Sequence, residues 1–372
     1  MNGVTALTDI WARDVHCLLG LPFDAVDLDG ALRTIRRAAA ERRPCFVSTP
    51  NLNFLVTCQS DPSFRDSVVE SDLSVVDGMP LVWVARLLGI PIPGRVAGSD
   101  VFEGLRRDSQ GTMSVFFFGG MEGVARDACA SLNLTPSGLV CAGYECPGFG
   151  SVEDMSSEST IARINASGAE FLVVSLGAKK GQAWIRRNRH RLSVPVISHL
   201  GAVVNFVAGT VKRAPVAMQR LGLEWLWRIR EEPGLWRRYM ADGVAFLSLV
   251  LTRVLPYAWY LRRHGPSETD MKTARAEVME KEGDMVVCLS GAWVRENLEP
   301  LRECFDKLST AGKDVRLDMG NVGFVDSAFL GLALLFGADL TRRGHAMRVE
   351  NLNDGVRRIM RYACAESLQA YR

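Results

Sequence analysis

Six short apolar runs separated by helical patterns constrain this chain more than any other feature. The runs are Cys45–Ser48, Leu73–Val76, Ser114–Phe118, Leu139–Cys141, Phe171–Leu176 and Val196–Ser198. They are rich in β-branched or aromatic residues, and none alternates apolar with polar, the pattern expected of strands buried on both faces. Helical stretches lie between them, among them Gly30–Arg43, Pro62–Ser71 and Pro80–Leu88. Strand–helix alternation predicts an α/β fold: a Rossmann-like parallel sheet with helices on both faces, over residues 1–205. Ligands on such sheets sit at the carboxyl ends of the strands. The chain has 372 residues, 48% of them hydrophobic, enough for this core and a second domain.

Residues 206–264 read differently. Ten Lys or Arg and four acids fall between Lys212 and Arg263, a local charge of +6 in a chain whose total is +2. Trp225, Trp227, Trp236, Tyr239, Tyr257, Trp259 and Tyr260 interleave with the cations. A basic, aromatic segment asks for an anionic surface. Gly243–Tyr260 is nearly all apolar, yet shorter than the about 20 residues of a spanning helix, and Arg253 interrupts it. It reads as a helix lying in a membrane surface; a core helix, an oligomer contact and a crossing helix are the alternatives. Residues 265–283, opened by Gly265-Pro266-Ser267, read as a linker. Residues 284–372 read as a small α/β domain, with strands at Met285–Leu289 and Val315–Met319 and a short one beginning at Arg348. Its helices are expected at Leu298–Thr310 and Ser327–Arg343. The nine cysteines are scattered without a CxxC pair, so reduced thiols in a cytosolic protein are expected. Asp9, Arg13 and Asp14 break any apolar run near the start, so no signal peptide is expected.

Two stretches place polar side chains between a strand and the next helix: Ser48-Thr49-Pro50-Asn51 and Val76-Asp77-Gly78-Met79-Pro80. Free N–H groups and the helix dipole at such a turn suit a diphosphate. Asp77 is the candidate base; a turn residue or a helix cap is the alternative. Arg95, beside small residues in Arg95-Val96-Ala97-Gly98-Ser99-Asp100, is either a phosphate partner or a surface arginine. Gly119 and Gly120 end a strand and permit close approach of a ligand to the backbone. No G-x-G-x-x-G follows a strand and no P-loop is present, which disfavours a nicotinamide enzyme. Asp27-Leu28-Asp29 reads as a helix cap. The residues demand no metal and no cofactor, and nothing points to nucleic acid.

Several of these stretches, in order, resemble the WecG/TagA/CpsF glycosyltransferase family. They are Thr49-Pro50-Asn51, Asp61-Pro62-Ser63-Phe64-Arg65, Val76 through Trp83, Arg95 through Asp100, and Ser175 through Gln182. Phe206 through Pro215 and Leu221-Gly222-Leu223-Glu224-Trp225 continue the resemblance, which covers roughly residues 15–240. It implies inverting transfer of a hexose or N-acetylhexosamine from a UDP-sugar to a polyprenyl-diphosphate-linked acceptor in cell-surface polysaccharide synthesis. It places the catalytic Asp on Asp77, a Thr near the acceptor on Thr49 and a nucleotide-binding Arg on Arg95, with Asn51 and Gln182 as further substrate contacts. It places a basic appendage that closes the site at the membrane on about residues 206–245, with Lys212, Arg213, Arg237 and Arg238 as phosphate partners; guanidinium grips phosphate bidentately. Two departures stand out: Lys179-Lys180-Gly181-Gln182 where the family often has Pro-x-Gln-Glu, and Asn205 where it often has Asp.

Gly323 through Gly331, between a strand and a helix, resembles the STAS domain. In that family a Ser directly after Asp, at a helix N-terminus, is a phosphorylation site; the position is Ser327. Ala328-Phe329 departs from the usual Ser-Gly or Thr-Gly there, and a plain helix cap is the alternative. The expectation is therefore a peripheral enzyme on the cytoplasmic face of the cell membrane, with a protein partner reached through the STAS-like domain. The rival is a non-catalytic scaffold on the same fold.

Overall fold

The computed structural model describes residues 10–108, 111–135, 137–220 and 222–371. A hairpin, β1 (Val15–Leu18) and β2 (Leu21–Asp24), opens it. The six expected strands follow as β3 (Cys45–Ser48), β4 (Leu73–Ser74), β5 (Met113–Gly119), β6 (Leu139–Glu145), β7 (Phe171–Ser175) and β8 (Val196–His199). All pair in parallel, in the order β4-β3-β8-β7-β5-β6. The triple phenylalanine of β5 shows why the runs lack alternation. Val115 and Phe117 enter the core on one face, with Phe102 against Phe117. Phe116 and Phe118 enter the core on the other, where Trp184 lies 4.4 Å from the Phe118 ring. Both faces are covered, so successive residues are all apolar.

The second sheet holds β9 (Arg275–Lys281), β10 (Asp284–Trp293), β11 (Val315–Val325), β12 (Met347–Glu350) and β13 (Ala370–Tyr371), in the order β13-β12-β11-β10-β9. The stretch 265–283 is thus not all linker. Arg275–Lys281 forms an antiparallel edge strand on β10. Its Glu277, Glu280 and Lys281 face water, as charges on a protected edge do. The thiol expectation also changes: Cys129 and Cys141 are joined in a disulfide between the helix Val124–Leu134 and β6. Cys17, Cys45 and Cys58 are free and buried.

Between the sheets runs the appendage: short helices Val216–Arg220 and Glu224–Glu231, then a long helix from Trp236 to Arg263. The long helix contains one π-type turn, Val250–Val254, just before Pro256, whose missing N–H and ring disfavour a regular ladder. One side of it is packed along its length. Asp242 accepts from the Asn53 amide at 3.0 Å, Phe246, Leu249 and Val254 join the first core, and Tyr257 and Tyr260 join the second. Its other side exposes Trp236, Met240, Val244, Leu247, Leu251, Leu255 and Trp259. Those residues recur every three or four positions and form one apolar stripe.

The two sheet domains also touch directly. Trp11, ahead of the hairpin, is buried against Phe305 and Phe336 of the C-terminal core. β1 lies on the helix Ser327–Arg342, where a Cβ on Gly331 would stand 2.7 Å from the Val15 carbonyl, so glycine is needed for the approach. Arg295 pairs with Asp14 at 2.7 Å and Arg302 donates to the Arg13 carbonyl at 2.8 Å.

Candidate functional site

Asp77 follows β4 at the carboxyl edge of the parallel sheet. The strand pairs over two residues only, and the chain then leaves it: Val75 N–H bonds the Ser48 carbonyl and Asp77 N–H bonds the Pro50 carbonyl at 3.0 Å. This holds Asp77 beside the Ser48–Asn51 turn. Asp77 does not cap the helix Met79–Leu87; Gly78 takes the cap position, and no side chain bonds the free N–H groups there. Its carboxylate instead faces Arg95 at 3.9 Å and the Gly98 N–H at 3.4 Å, with 26% of the side chain exposed. Burial pushes the Asp77 carboxyl up to about 7; Arg95 opposes the shift, while Glu224 and Asp100 add to it.

Arg95 is held by three carboxylates. It pairs with Glu224 at 2.6 Å and Asp100 at 3.0 Å, besides Asp77. Asp100 also takes Arg213. Arg95 and Arg213, assigned from sequence to substrate phosphate, therefore both sit in the Asp77 cluster, and both carry protein counter-ions. Thr49 is buried at the same edge, and its Oγ1 would be 3.2 Å from a Cβ on Gly98; glycine lets the start of the helix Gly98–Arg107 close onto it.

Other expected contacts lie elsewhere or are already engaged. Asn51 caps the helix Leu52–Ser60 by accepting from Phe54 N–H at 3.2 Å. Gln182 is buried and donates to Ser48 Oγ at 3.1 Å, leaving its Oε1 without a partner. Gly119 ends β5, but the space its missing Cβ leaves is filled by the Ser175 carbonyl, 2.6 Å away; Gly120 beside it is exposed. Lys212 is exposed, and its carbonyl accepts from the Trp227 indole at 3.0 Å. Arg237 and Arg238 are exposed on the long helix and lie over the Trp236 and Tyr239 rings.

Ser327 is not a cap. Asp326 holds that position, accepting from Phe329 N–H at 2.8 Å and Arg295 N–H at 2.9 Å. The Ser327 hydroxyl meets His16 Nδ1 of the hairpin at 3.0 Å, and His16 Nε2 lies 3.3 Å from Asp14. A cavity of about 280 Å³ borders this contact, lined by Leu88, Ile90, Tyr257 and Arg295 among others.

Sequence reasoning missed Glu224 and Asp100 as members of the Asp77 cluster, although both stand inside the stretches that carry the family resemblance. It also missed His16, whose contact with Ser327 spans 311 positions.

Comparison with known proteins identifies the families of the two domains. Residues 16–258 match the glycosyl transferase WecG/TagA/CpsF family, and residues 276–369 match a STAS domain family described as Mlab. An N-acetylglucosaminyldiphosphoundecaprenol N-acetyl-beta-D-mannosaminyltransferase of Bacillus spizizenii (strain W23) is 29% identical over 202 residues, 54% of this chain and 77% of its own length. The protein of the same description from Bacillus subtilis (strain 168) is 29% identical over 197 residues, 52% of this chain and 75% of its own.

Proposed function

Because the chain belongs to the WecG/TagA/CpsF glycosyltransferase family and carries a C-terminal STAS domain, we propose that it moves a hexose or N-acetylhexosamine from a UDP-sugar to a polyprenyl-diphosphate-linked sugar. The observation that carries the reading is the Asp77–Arg95 pair at the carboxyl edge of the sheet. The relatives act on an acceptor of this chemistry by their descriptions.

In the proposed reaction the donor diphosphate lies against Arg95. Asp77 removes the proton from an acceptor hydroxyl as its oxygen bonds to the anomeric carbon. The bond from that carbon to the UDP oxygen breaks, and Arg95 balances the charge left on UDP. A carboxyl raised to about 7 is matched to this role, since a base poised near the working pH is ionised often enough and still attracts a proton. Thr49, buried against Gly98 at the same sheet edge, is proposed to orient the acceptor.

The proposed location is the inner face of the cell membrane. The stripe from Trp236 to Trp259 is flanked by Arg237, Arg238, Arg262 and Arg263, the composition of a helix that lies in an anionic interface. Its opposite side is committed to both domains, which favours lying in the surface over crossing it. Ser327 is proposed to regulate through the His16 contact: added charge there would sit between Asp14 and Asp326 and loosen the two domains.

The test is UDP release from purified full-length protein given UDP-N-acetylhexosamines and a polyprenyl-diphosphate acceptor in anionic vesicles. Acceptor-dependent release that Asp77→Asn abolishes supports the reading. No release with any donor, from protein bound to vesicles, contradicts it.

A further inference from the structure

Three carboxylates, Asp77, Asp100 and Glu224, meet two guanidinium groups, Arg95 and Arg213. With Asp77 protonated the cluster is neutral. A nucleoside diphosphate entering beside Arg95 adds about two negative charges among carboxylates that are already paired. Like charges in close contact away from bulk water repel strongly, so one carboxylate has to give way.

The three differ in how firmly they are held. Asp100 belongs to a helix that buries Gly98, Val101, Phe102 and Leu105, and Arg213 holds it from the other side. Asp77 is fixed by its backbone bond to Pro50 and by the Gly98 N–H. Glu224 opens the eight-residue helix Glu224–Glu231, which buries none of its residues. Its side chain is 30% exposed, and ion pairs near water contribute little to stability. Glu224 is therefore the partner whose release costs least.

Resting on the donor reading above, we propose that Glu224 is a positioning residue of the donor site. In the empty enzyme its carboxylate occupies the side of Arg95 that a donor diphosphate takes, and diphosphate entry frees the helix Glu224–Glu231 from the core. The Trp227 indole bonds the Lys212 carbonyl, so freeing this helix also shifts the segment that carries Arg213. Donor binding is thereby coupled to the appendage that carries the apolar stripe.

The experiment combines calorimetric UDP binding with hydrogen exchange, on full-length wild type, Glu224→Gln and Glu231→Gln. Glu231 is exposed on the same helix and controls for its charge. Glu224→Gln is expected to bind UDP roughly 2- to 5-fold more tightly, the size of a lost competing surface ion pair, with a lower donor KM. Glu231→Gln is expected to match wild type. UDP is expected to speed amide exchange across residues 224–231 in wild type, and Glu224→Gln to show that faster exchange without UDP. Unchanged or weaker UDP binding by Glu224→Gln, with wild type binding UDP and both proteins melting alike, would show that Glu224 merely braces Arg95 and would overturn the proposal. Should wild type bind no UDP, the donor reading itself fails, an outcome separate from the first.

Discussion

Asp77 and Asp326 occupy the same kind of place, a strand-to-helix turn at the edge of a sheet with parallel strands, yet they do different things. Asp326 is filled: its oxygens take the N–H groups of Phe329 and Arg295, and the hairpin covers the turn through His16 and Ser327. Asp77 is left unfilled. It does not cap the helix that follows it, its contact with the Gly98 N–H at the start of the helix Gly98–Arg107 is long at 3.4 Å, and its cation is 3.9 Å away and shared with two other carboxylates. Burial raises both carboxyls, but two backbone donors pull Asp326 back. A carboxylate in such a turn is held by the backbone when two N–H groups satisfy it, and stays available to other partners when they do not.

The contrast is broken or sharpened by exchanging these properties. The largest effect belongs to Asp77→Asn, which is expected to lower turnover by about 10²–10⁴ while UDP still binds, measured by UDP release and calorimetry. Arg95→Gln is next. It is expected to weaken UDP binding by roughly ten- to a hundredfold, the usual loss for one charge-assisted contact, read by the same calorimetry. At the other turn, Ser327→Ala is expected to cost about 1 kcal/mol by removing the hydroxyl that meets His16, seen as a lower melting temperature. Asp326→Ala is expected to cost about 1 kcal/mol, the worth of a helix cap, with turnover retained. The two aspartates would then separate cleanly, one by rate and one by stability.

A smaller effect tests the cost of leaving Asp77 unfilled. Its carboxyl is raised in the fold, so the folded state holds its proton more tightly than the unfolded chain. That contribution to stability is complete below about 4 and is lost as pH rises through about 7. Asp77→Asn is therefore expected to melt above wild type at pH 8 and to lose that advantage at pH 5.

The sheet was legible in the sequence because both of its faces are buried, which leaves continuous apolar runs such as Val115–Phe118. Asp77 and Arg95 could be singled out as candidates for a related reason, since each lies close behind such a run or in a motif with local order. Interactions between distant segments were not. Arg95 and Glu224 are 129 positions apart, and their pairing depends on where the appendage folds back. The edge strand β9 was hidden because its charges suit water and its pairing is imposed by β10. Asn51 and Gln182 stand in the right motifs, yet one polar atom of each is engaged within the protein, Asn51 Oδ1 by Phe54 N–H and Gln182 Nε2 by Ser48, while Gln182 Oε1 is left without a partner. Spacing alone does not distinguish a capping amide from a ligand contact.

The dependence of kcat/KM on pH tests the role of Asp77 most directly, measured by UDP release from pH 5 to 9 with donor and lipid acceptor both supplied. The carboxylate has to be ionised to accept a proton, so the rate should climb with a single ionisation near pH 7 and level off above it. A rate already at its plateau at pH 5, or one that falls as the pH is raised through 7, would contradict a base at this position.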